Sequence, residues 1–242
     1  MDLNGATALI TGASSGIGAS LAELLVAKGC RVIATARRLD RLVALAARLG
    51  PRCLALRLDQ TDPASAASII ERLPAEWRRI DILVNNAAHD IGGKIPFAEG
   101  AVEDHVAILD TNISGLIRVT RAILPDMLKR ATGHVVNIGS GAGLAPQPND
   151  AAYVASKFAV NGFTQALWLE CKGKVKVTQV LPGVVKTEFD EVRRWGDATK
   201  ATEFYAGFPA CLLPEDVASC IVYALEQPAH VNITDLRVVP AV

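Results

Sequence analysis

The N-terminal third of the chain alternates short apolar runs with longer segments of helical periodicity, and this alternation is the strongest constraint on its fold. The apolar runs are 7–11, 31–35, 53–58 and 82–84, and the helical patterns between them are 17–28, 39–49 and 64–73. Because the runs are continuous, they are typical of strands that helices cover on both faces. Strand–helix–strand units of this kind form a parallel sheet. The pattern therefore predicts an α/β protein.

The second half continues the alternation. A helical pattern over 102–127 precedes an apolar run at 135–138, and a second helical pattern over 153–171 precedes a run at 175–180. No Pro/Gly/Ser-rich spacer or fixed-period repeat interrupts the chain, so one domain is expected over residues 1–242. Residues 184–213 break the alternation and are expected to form an irregular lid over a substrate.

Composition excludes several classes of partner and site. Lys and Arg number 25 and Asp and Glu number 25, so the formal net charge is zero and favours neither nucleic acid nor an anionic membrane. The five cysteines are scattered and form no CxxC pair, which argues against a disulfide framework and against a bound metal. No secretory leader or membrane-length apolar run is evident, and a cytoplasmic protein is expected.

The turn after the first apolar run is rich in glycine. Gly12, Gly16 and Gly18 fall between the run at 7–11 and the first helical pattern. Glycine at such a turn lets the backbone approach a pyrophosphate, and the helix N-terminus supplies free N–H groups. The alternative is a tight connection without a ligand, but the strand–turn–helix context favours a dinucleotide site.

The spacing of these glycines, TGxxxGIG, resembles the opening motif of the short-chain dehydrogenase/reductase family. Two further segments match family motifs: NNAA at 85–88 resembles NNAG, and PGVVKT at 182–187 resembles PGxVxT. The resemblance extends along the whole chain. It implies a single-domain Rossmann fold, in which a doubly wound, seven-stranded parallel sheet carries helices on both faces. Ala88 replaces the usual glycine of NNAG and places a methyl group near the cofactor.

Two arginines at the end of the second predicted strand indicate which dinucleotide is bound. Proteins that bind NAD place a carboxylate there, whereas an arginine suits the 2′-phosphate of NADP. Arg37 and Arg38 occupy this position, and Asp40 follows only after the strand. The sequence thus predicts NADP(H), the alternative being that both arginines only solvate a helix entrance. The resemblance implies further cofactor contacts from Gly12, Ser14, Ser15, Gly16, Ile17, Gly18, Asp59, Gln60, Asn86, Ala87, Ala88, Tyr153, Lys157, Pro182, Gly183, Val185 and Thr187.

The pattern YxxxK places Tyr153 and Lys157 on one face of a predicted helix. A phenol is a poor base at neutral pH, and a neighbouring ammonium together with the nicotinamide charge is expected to lower its pKa. In the family, the tyrosine transfers a proton, the lysine holds the nicotinamide ribose, a serine binds the substrate oxygen and an asparagine kinks its helix. The resemblance assigns the last two roles to Ser140 and Asn112, with Gly139 where the family usually has another serine.

The tail of the chain resembles the branch of NADP-dependent 3-hydroxy acid and serine or allo-threonine dehydrogenases. The shared pattern runs from TEFxxVR at 187–193 to PAHVNI at 228–233. This resemblance implies an NADP-dependent oxidoreductase acting on a 3-hydroxy acid or its semialdehyde. Arg193 is the candidate for binding an anionic substrate, because a guanidinium pairs with a carboxylate; the alternative is a solvated lid arginine.

Two other functions stay open at this point. The first is reduction of another small aldehyde or ketone, such as a sulfonated aldehyde, and the second is a dinucleotide-binding sensor without catalysis. The only other partner expected is a second copy of the chain. Family members assemble as tetramers through their fourth and fifth helices, which implies a homotetramer.

Overall fold

Seven parallel strands form a single sheet in the computed structural model, which describes residues 1–92 and 94–241. The strand order is β3-β2-β1-β4-β5-β6-β7. The strands are β1 Thr7–Thr11, β2 Arg31–Ala36, β3 Cys53–Arg57, β4 Ile82–Asn85, β5 His134–Ile138, β6 Lys176–Pro182 and β7 Asp235–Val238. Each neighbouring pair is parallel, which agrees with the predicted strand–helix–strand units.

Helices connect the strands. The α-helices are α1 Gly16–Ala27, α2 Leu39–Leu49, α3 Pro63–Ala67, α4 Val102–Leu109, α5 Leu116–Arg130, α6 Ala151–Cys171, α7 Phe189–Arg193, α8 Ala198–Ala206 and α9 Pro214–Glu226. A π-helix, Asp110–Gly115, joins α4 to α5, and short 3-10 helices cover Gly50–Arg52, Ala75–Trp77, Phe97–Glu99 and Gly141–Gly143.

Alternate residues of each central strand belong to different hydrophobic cores. In β1, Ala8 and Ile10 pack with residues of α1, α2 and α9, whereas Leu9 packs with residues of α5 and α6. The same alternation separates Ile33 from its neighbours in β2 and Leu83 from its neighbours in β4. Because both faces are covered, the central strands are buried at nearly every position, and most of their residues are apolar. This arrangement confirms the predicted doubly wound, seven-stranded sheet.

The strand order reverses at β1, which has β2 on one side and β4 on the other. The chain leaves the carboxyl ends of β1 and β4 toward opposite faces of the sheet, so a crevice opens between the two connections. In open α/β sheets, ligands bind in this crevice. The topology therefore puts the loops after β1, β2, β4, β5 and β6 along a common edge.

Two predicted helices differ from the structure. The helix expected over 64–73 ends at Ala67, where the Ser68 hydroxyl donates to the Ala64 carbonyl and successive turns carry Ile69 and Leu73 into the core. The helix expected over 102–127 is divided by the π-helix, whose wider turn includes Asn112.

The segment expected to be an irregular lid, residues 184–213, contains two short helices, α7 and α8. The Tyr205 hydroxyl donates to the Thr187 carbonyl at 2.9 Å and accepts from the Thr187 amide at 3.3 Å, which links α8 to the residues just before α7. A parallel bridge between Val185 and Leu212 closes the base of the segment. This segment is thus an ordered pair of helices and not an irregular loop.

The glycine at position 139 is explained by what lies beneath it. A Cβ there would stand 2.7 Å from the Gln179 side-chain nitrogen and 2.8 Å from Leu181 Cδ2, both on β6. Overpacking of this kind costs about 1–3 kcal/mol. Gly141 lies close by, and a Cβ added to it would meet no atom within 4 Å.

We therefore expect Gly139→Ser to lower the free energy of unfolding by about 1–3 kcal/mol, because the added side chain displaces Gln179 or Leu181. Urea unfolding followed by circular dichroism measures the change. Gly141→Ser is the matched control and should unfold close to the wild-type midpoint. Equal losses of stability in the two variants would contradict the packing explanation.

Candidate active site

A cavity of about 450 Å³ lies along the carboxyl edge of the sheet, within the size range of small-molecule sites. Most of the residues predicted to bind cofactor or substrate line it. These are Gly12, Ser14, Ser15, Gly16, Ile17, Arg37, Arg38, Asp59, Gln60, Asn86, Ala87, Ala88, Ser140, Tyr153, Lys157, Pro182, Gly183, Val185 and Thr187.

Three predicted site residues do not line this cavity: Gly18, Asn112 and Arg193. A Cβ on Gly18 would lie 2.5 Å from the Gly12 carbonyl oxygen and 2.6 Å from the Asn86 side-chain nitrogen. Gly18 therefore acts through close packing of α1 against the glycine turn. The contacts of Asn112 and Arg193 are described below.

The glycine turn has the geometry of an anion site. Gly12 and Gly16 have φ angles of +68° and +55°, and a Cβ on Gly12 would lie 2.8 Å from the Cα of Ala87. Ser15 caps α1 without a side-chain hydrogen bond, and the first turn of α1 contains no acidic residue. The N–H groups at the start of α1 are thus open to a pyrophosphate, and this part of the cavity fits a dinucleotide.

Asn86 fixes the glycine turn to the end of β4. Its side-chain nitrogen donates to the carbonyl oxygens of Thr11 at 2.9 Å and Gly12 at 3.2 Å. The Thr11 hydroxyl in turn accepts from the backbone N–H groups of Asn86 and Ala87, each at 3.0 Å. These four hydrogen bonds hold the loops after β1 and β4 together.

Arginines and a glutamate surround the far end of the cavity. Arg37 is exposed, and Arg38 donates to the hydroxyls of Ser14 at 3.0 Å and Ser15 at 2.8 Å. Arg38 and Arg41 both bind the Glu188 carboxylate. Neither Arg41 nor Glu188 was predicted from the sequence. The sequence spacing could have pointed to Arg41, because it lies three positions after Arg38 near the start of α2. This spacing places the two side chains on the same side of the helix.

Ser140, Tyr153 and Lys157 meet at the other end. The Lys157 ammonium lies 5.5 Å from the centre of the Tyr153 ring and donates to the Ile138 carbonyl at 3.0 Å. Both side chains are buried. A hydrogen bond links Tyr153 to Ser140, whose hydroxyl oxygen also accepts from the Ala142 amide at 3.1 Å.

The pKa values of this group differ from the expectation drawn from the YxxxK spacing. Burial raises the pKa of Tyr153 to about 12, although Arg193 and the hydrogen bond with Ser140 act to lower it. Burial also lowers the pKa of Lys157 to about 8, although Asp90 acts to raise it. The chain by itself therefore keeps Tyr153 protonated at neutral pH, and a lower pKa requires further positive charge, such as that of an oxidised nicotinamide.

Asn112 lies in the π-helix behind these groups. Its side-chain nitrogen donates to the His89 carbonyl and to the Ser156 hydroxyl, both at 2.9 Å, and its side-chain oxygen accepts from the His89 amide at 2.7 Å. These bonds tie the loop after β4 to α6. Asn112 thus supports the helix that carries Tyr153 and Lys157.

Arg193 is buried beside Tyr153, with its guanidinium carbon 5.5 Å from the centre of the phenol ring. Nε donates to Asp90 at 2.5 Å, and Nη1 donates to Asp190 at 3.3 Å. The alternative of a solvated lid arginine therefore does not describe this side chain. Burial raises the pKa of Asp90 to about 6, although Arg193 acts to lower it. Asp90, like Arg41 and Glu188, is a site residue that was not predicted from the sequence.

Replacing Arg193 tests this description. We expect Arg193→Met to lower the free energy of unfolding by about 3–5 kcal/mol, because it leaves Asp90 buried without its cation, whereas Asp190 keeps its ion pair with Arg194. Chemical denaturation measures the loss. Arg194→Met is the matched control: Arg194 binds the same Asp190 at 2.6 Å but is 21% exposed, and its loss should cost only about 1 kcal/mol. A smaller loss for Arg193→Met than for the control would refute the buried pairing.

The remainder of the described chain adds few candidate sites. Among residues 1–92 and 94–241 no cluster of His, Cys, Asp and Glu is arranged to hold a metal ion. Within the same ranges, no helix has the length and apolar character needed to cross a membrane.

Comparison with known proteins places this site in a family. The short chain dehydrogenase profile matches residues 6–197. NADP-dependent 3-hydroxy acid dehydrogenase YdfG of Salmonella typhi is 42% identical over 234 residues, covering 96% of this chain and 94% of that protein. The probable NADP-dependent dehydrogenase of Haemophilus influenzae is 36% identical, covering 97% and 93%.

Solved structures of dehydrogenases superimpose on this chain as well. The closed form of serine dehydrogenase complexed with NADP⁺ superimposes with a TM-score of 0.92 at 41% identity, covering 96% of this chain and 93% of that one. A short-chain dehydrogenase from Sphingobium yanoikuyae in complex with NADPH gives 0.80 at 33% identity, covering 98% and 88%. The match to the family profile, the relatives and the site geometry lead to one conclusion: this chain belongs to the short chain dehydrogenase family.

Proposed function

We propose that the protein is an NADP(H)-dependent oxidoreductase that interconverts a small polar alcohol and its carbonyl compound, with 3-hydroxy acids and their semialdehydes as the substrate class. One observation carries the proposal: the cavity has Ser140, Tyr153 and Lys157 at one end and Arg37 and Arg38 at the other. A dinucleotide with a 2′-phosphate fits between these two ends. The relatives named for 3-hydroxy acids and NADP support the same choice.

Different residues of the cavity would bind different parts of the cofactor. Arg37 and Arg38 would hold the 2′-phosphate, and Asp59 would contact the adenine. The glycine turn and the start of α1 would bind the pyrophosphate. Lys157 and Tyr153 would bind the nicotinamide ribose, and the segment from Pro182 to Thr187 would bind the carboxamide.

When bound, the cofactor supplies or accepts the hydride. Tyr153 transfers the proton: its hydroxyl donates a proton to the carbonyl oxygen during reduction and becomes a phenolate, and the phenolate accepts the alcohol proton during oxidation. Ser140 donates a hydrogen bond to the same oxygen and stabilises the negative charge that develops on it. Lys157, charged below a pKa of about 8, stabilises the phenolate form of Tyr153.

Asn112 is proposed as the fourth catalytic residue. Its hydrogen bonds to His89 and Ser156 orient α6 and the loop after β4. Its position in the π-helix between α4 and α5 supports the kink that the resemblance implies at this residue.

Arg193 and the lid complete the substrate side. The lid spans residues 184–213 of one domain covering the whole chain, and α7 brings Phe189 to within 5.9 Å of the Tyr153 ring. An acidic substrate is proposed to bind Arg193. Because Asp90 and Asp190 already bind the guanidinium, one of these pairs opens when the substrate carboxylate arrives.

Absorbance of reduced nicotinamide tests the proposed reaction. Offered NADP⁺ and 3-hydroxy acids, the enzyme should form NADPH, and Tyr153→Phe should lose turnover by a factor of 1,000 or more, on the order of 4 kcal/mol of transition-state stabilisation. Fluorescence titration should find NADPH binding retained in the variant. Turnover of other carbonyl compounds alone would discard the substrate class, and undiminished turnover in the variant would discard the role of Tyr153.

A homotetramer is proposed from exposed apolar side chains on the long helices. Val102, Val106 and Leu109 are 67%, 56% and 39% exposed on one side of α4, and Phe158 and Leu169 are 43% and 63% exposed on α6. Such faces are covered by protein in stable assemblies.

A cytoplasmic location is also proposed, because all five cysteines are free thiols. A reducing compartment keeps cysteines in this form.

Sedimentation velocity tests the assembly. The wild-type protein should sediment as four chains, and Val106→Asp should shift it to smaller species, because a carboxylate in an apolar interface is desolvated without a partner. Val43→Asp on α2, where Val43 is 54% exposed, is the control and should leave the assembly intact. A monomeric wild-type protein would rule out the tetramer.

A further inference from the structure

Three charged side chains join the lid to the adenosine end of the cleft. Glu188 directly precedes α7 and accepts hydrogen bonds from Arg38 at 3.0 Å and from Arg41 at 2.6 Å and 2.7 Å. Arg38 lies in the β2–α2 connection and Arg41 in the first turn of α2, 150 and 147 positions away from Glu188 in the chain. We refer to Arg38, Arg41 and Glu188 as the lid latch.

The lid latch includes a guanidinium group that the 2′-phosphate of the cofactor would also bind. Arg38 and Glu188 both line the cavity, and Arg38 also donates to the hydroxyls of Ser14 and Ser15. Its N–H groups therefore have protein partners already, one of them anionic. A 2′-phosphate that binds Arg38 through two parallel hydrogen bonds requires the same N–H groups.

The charges around Glu188 favour its anionic form. Burial acts to raise the pKa of the Glu188 carboxyl, but the hydrogen bonds and charges of Arg41 and Arg38 outweigh it and lower the pKa. At neutral pH a full negative charge thus stands beside the position of the 2′-phosphate. Carboxylate and phosphate repel each other and compete for the same cations.

We infer that Glu188 sets the cofactor preference of this enzyme by competing with the 2′-phosphate for Arg38 and Arg41, and that the same bonds hold the lid. This inference rests on the proposed NADP(H) function and adds Glu188 and Arg41 to its specificity-determining residues. NADH carries a hydroxyl in place of the 2′-phosphate and does not enter the competition. Repulsion between Glu188 and the pyrophosphate acts on both cofactors equally and cancels in their ratio.

The lid is linked to this competition by its position in the chain. Phe189 and Arg193, one and five residues after Glu188, lie against the Tyr153 ring. When the 2′-phosphate takes the arginines, the start of α7 loses its ionic attachment to α2. The identity of the cofactor at one end of the cleft thereby affects the segment that covers Tyr153 at the other.

Binding of the two cofactors to two variants tests the inference. Dissociation constants for NADPH and NADH are measured by nicotinamide fluorescence at fixed salt. Glu188→Gln removes the competitor, so the affinity for NADPH relative to NADH should rise about two- to fivefold, the size expected for a partly exposed ion pair; relief of repulsion toward the pyrophosphate tightens both cofactors alike and leaves this ratio unchanged. Arg41→Gln removes a cation, so NADPH should bind more weakly by a similar factor.

Hydrogen exchange supplies the second readout. Glu188→Gln removes the negative charge from both ion pairs of the latch, and Arg41→Gln removes one of the two pairs. Without cofactor, amides in 189–206 should therefore exchange faster in both variants than in the wild-type protein. A purely structural role for the latch would move NADPH affinity in the same direction in both variants and would overturn the inference. Equal changes for NADPH and NADH, or unchanged lid exchange, would overturn it as well.

A control variant shows whether the loss of any partly exposed ion pair has the same effects, and cofactor binding by the wild-type protein separates a failure of the proposed function from a failure of this inference. Glu23→Gln removes a different pair, Glu23–Arg48, whose glutamate is 41% exposed like Glu188. It should leave both dissociation constants and lid exchange unchanged. If the wild-type protein binds neither cofactor, the proposed function fails; if it prefers NADPH but Glu188→Gln leaves the preference unchanged, only this inference fails.

Discussion

The pairing of the β1 and β4 loops through Asn86 and Thr11 is the interaction on which the site depends. Reversal of the strand order opens a crevice at this point, and a crevice without fixed walls binds a dinucleotide poorly. The four hydrogen bonds between these loops fix the glycine turn at a backbone separation that only Gly12 permits. The N-terminus of α1 follows this fixed turn and faces the cavity, and the loops after β5 and β6 line the opposite side of the cavity.

Much of the fold was predictable because its signals are local. The continuous apolar strands, the glycine turn and the YxxxK spacing each depend on residues that are close in sequence, and the structure places them as expected. The early end of α3 was not predicted, and the kink that the resemblance implied at Asn112 is a π-helix whose bounds the helical pattern over 102–127 did not show. Both depend on how the chain packs after the helix forms, which helix periodicity does not report.

The electrostatics of the site were less predictable, because its partners come from distant parts of the chain. Arg193 binds Asp90 across 103 positions, and Glu188 binds Arg38 across 150. The YxxxK spacing placed Lys157 near Tyr153, but burial dominates the pKa values of both groups, and burial is a property of the folded state. Sequence motifs therefore identified which residues meet, and the structure was needed to find their charge states.

Gly139 shows that the residue tolerated at one position of this fold depends on the residues packed against it. The residue is smaller than its family counterpart because Gln179 and Leu181 on the next strand fill the space that a side chain there would use. A serine at 139 fits only if one of these two side chains shifts or is shortened. The energetic cost of a side chain at 139 therefore depends on the residues at 179 and 181, and the three positions are energetically coupled.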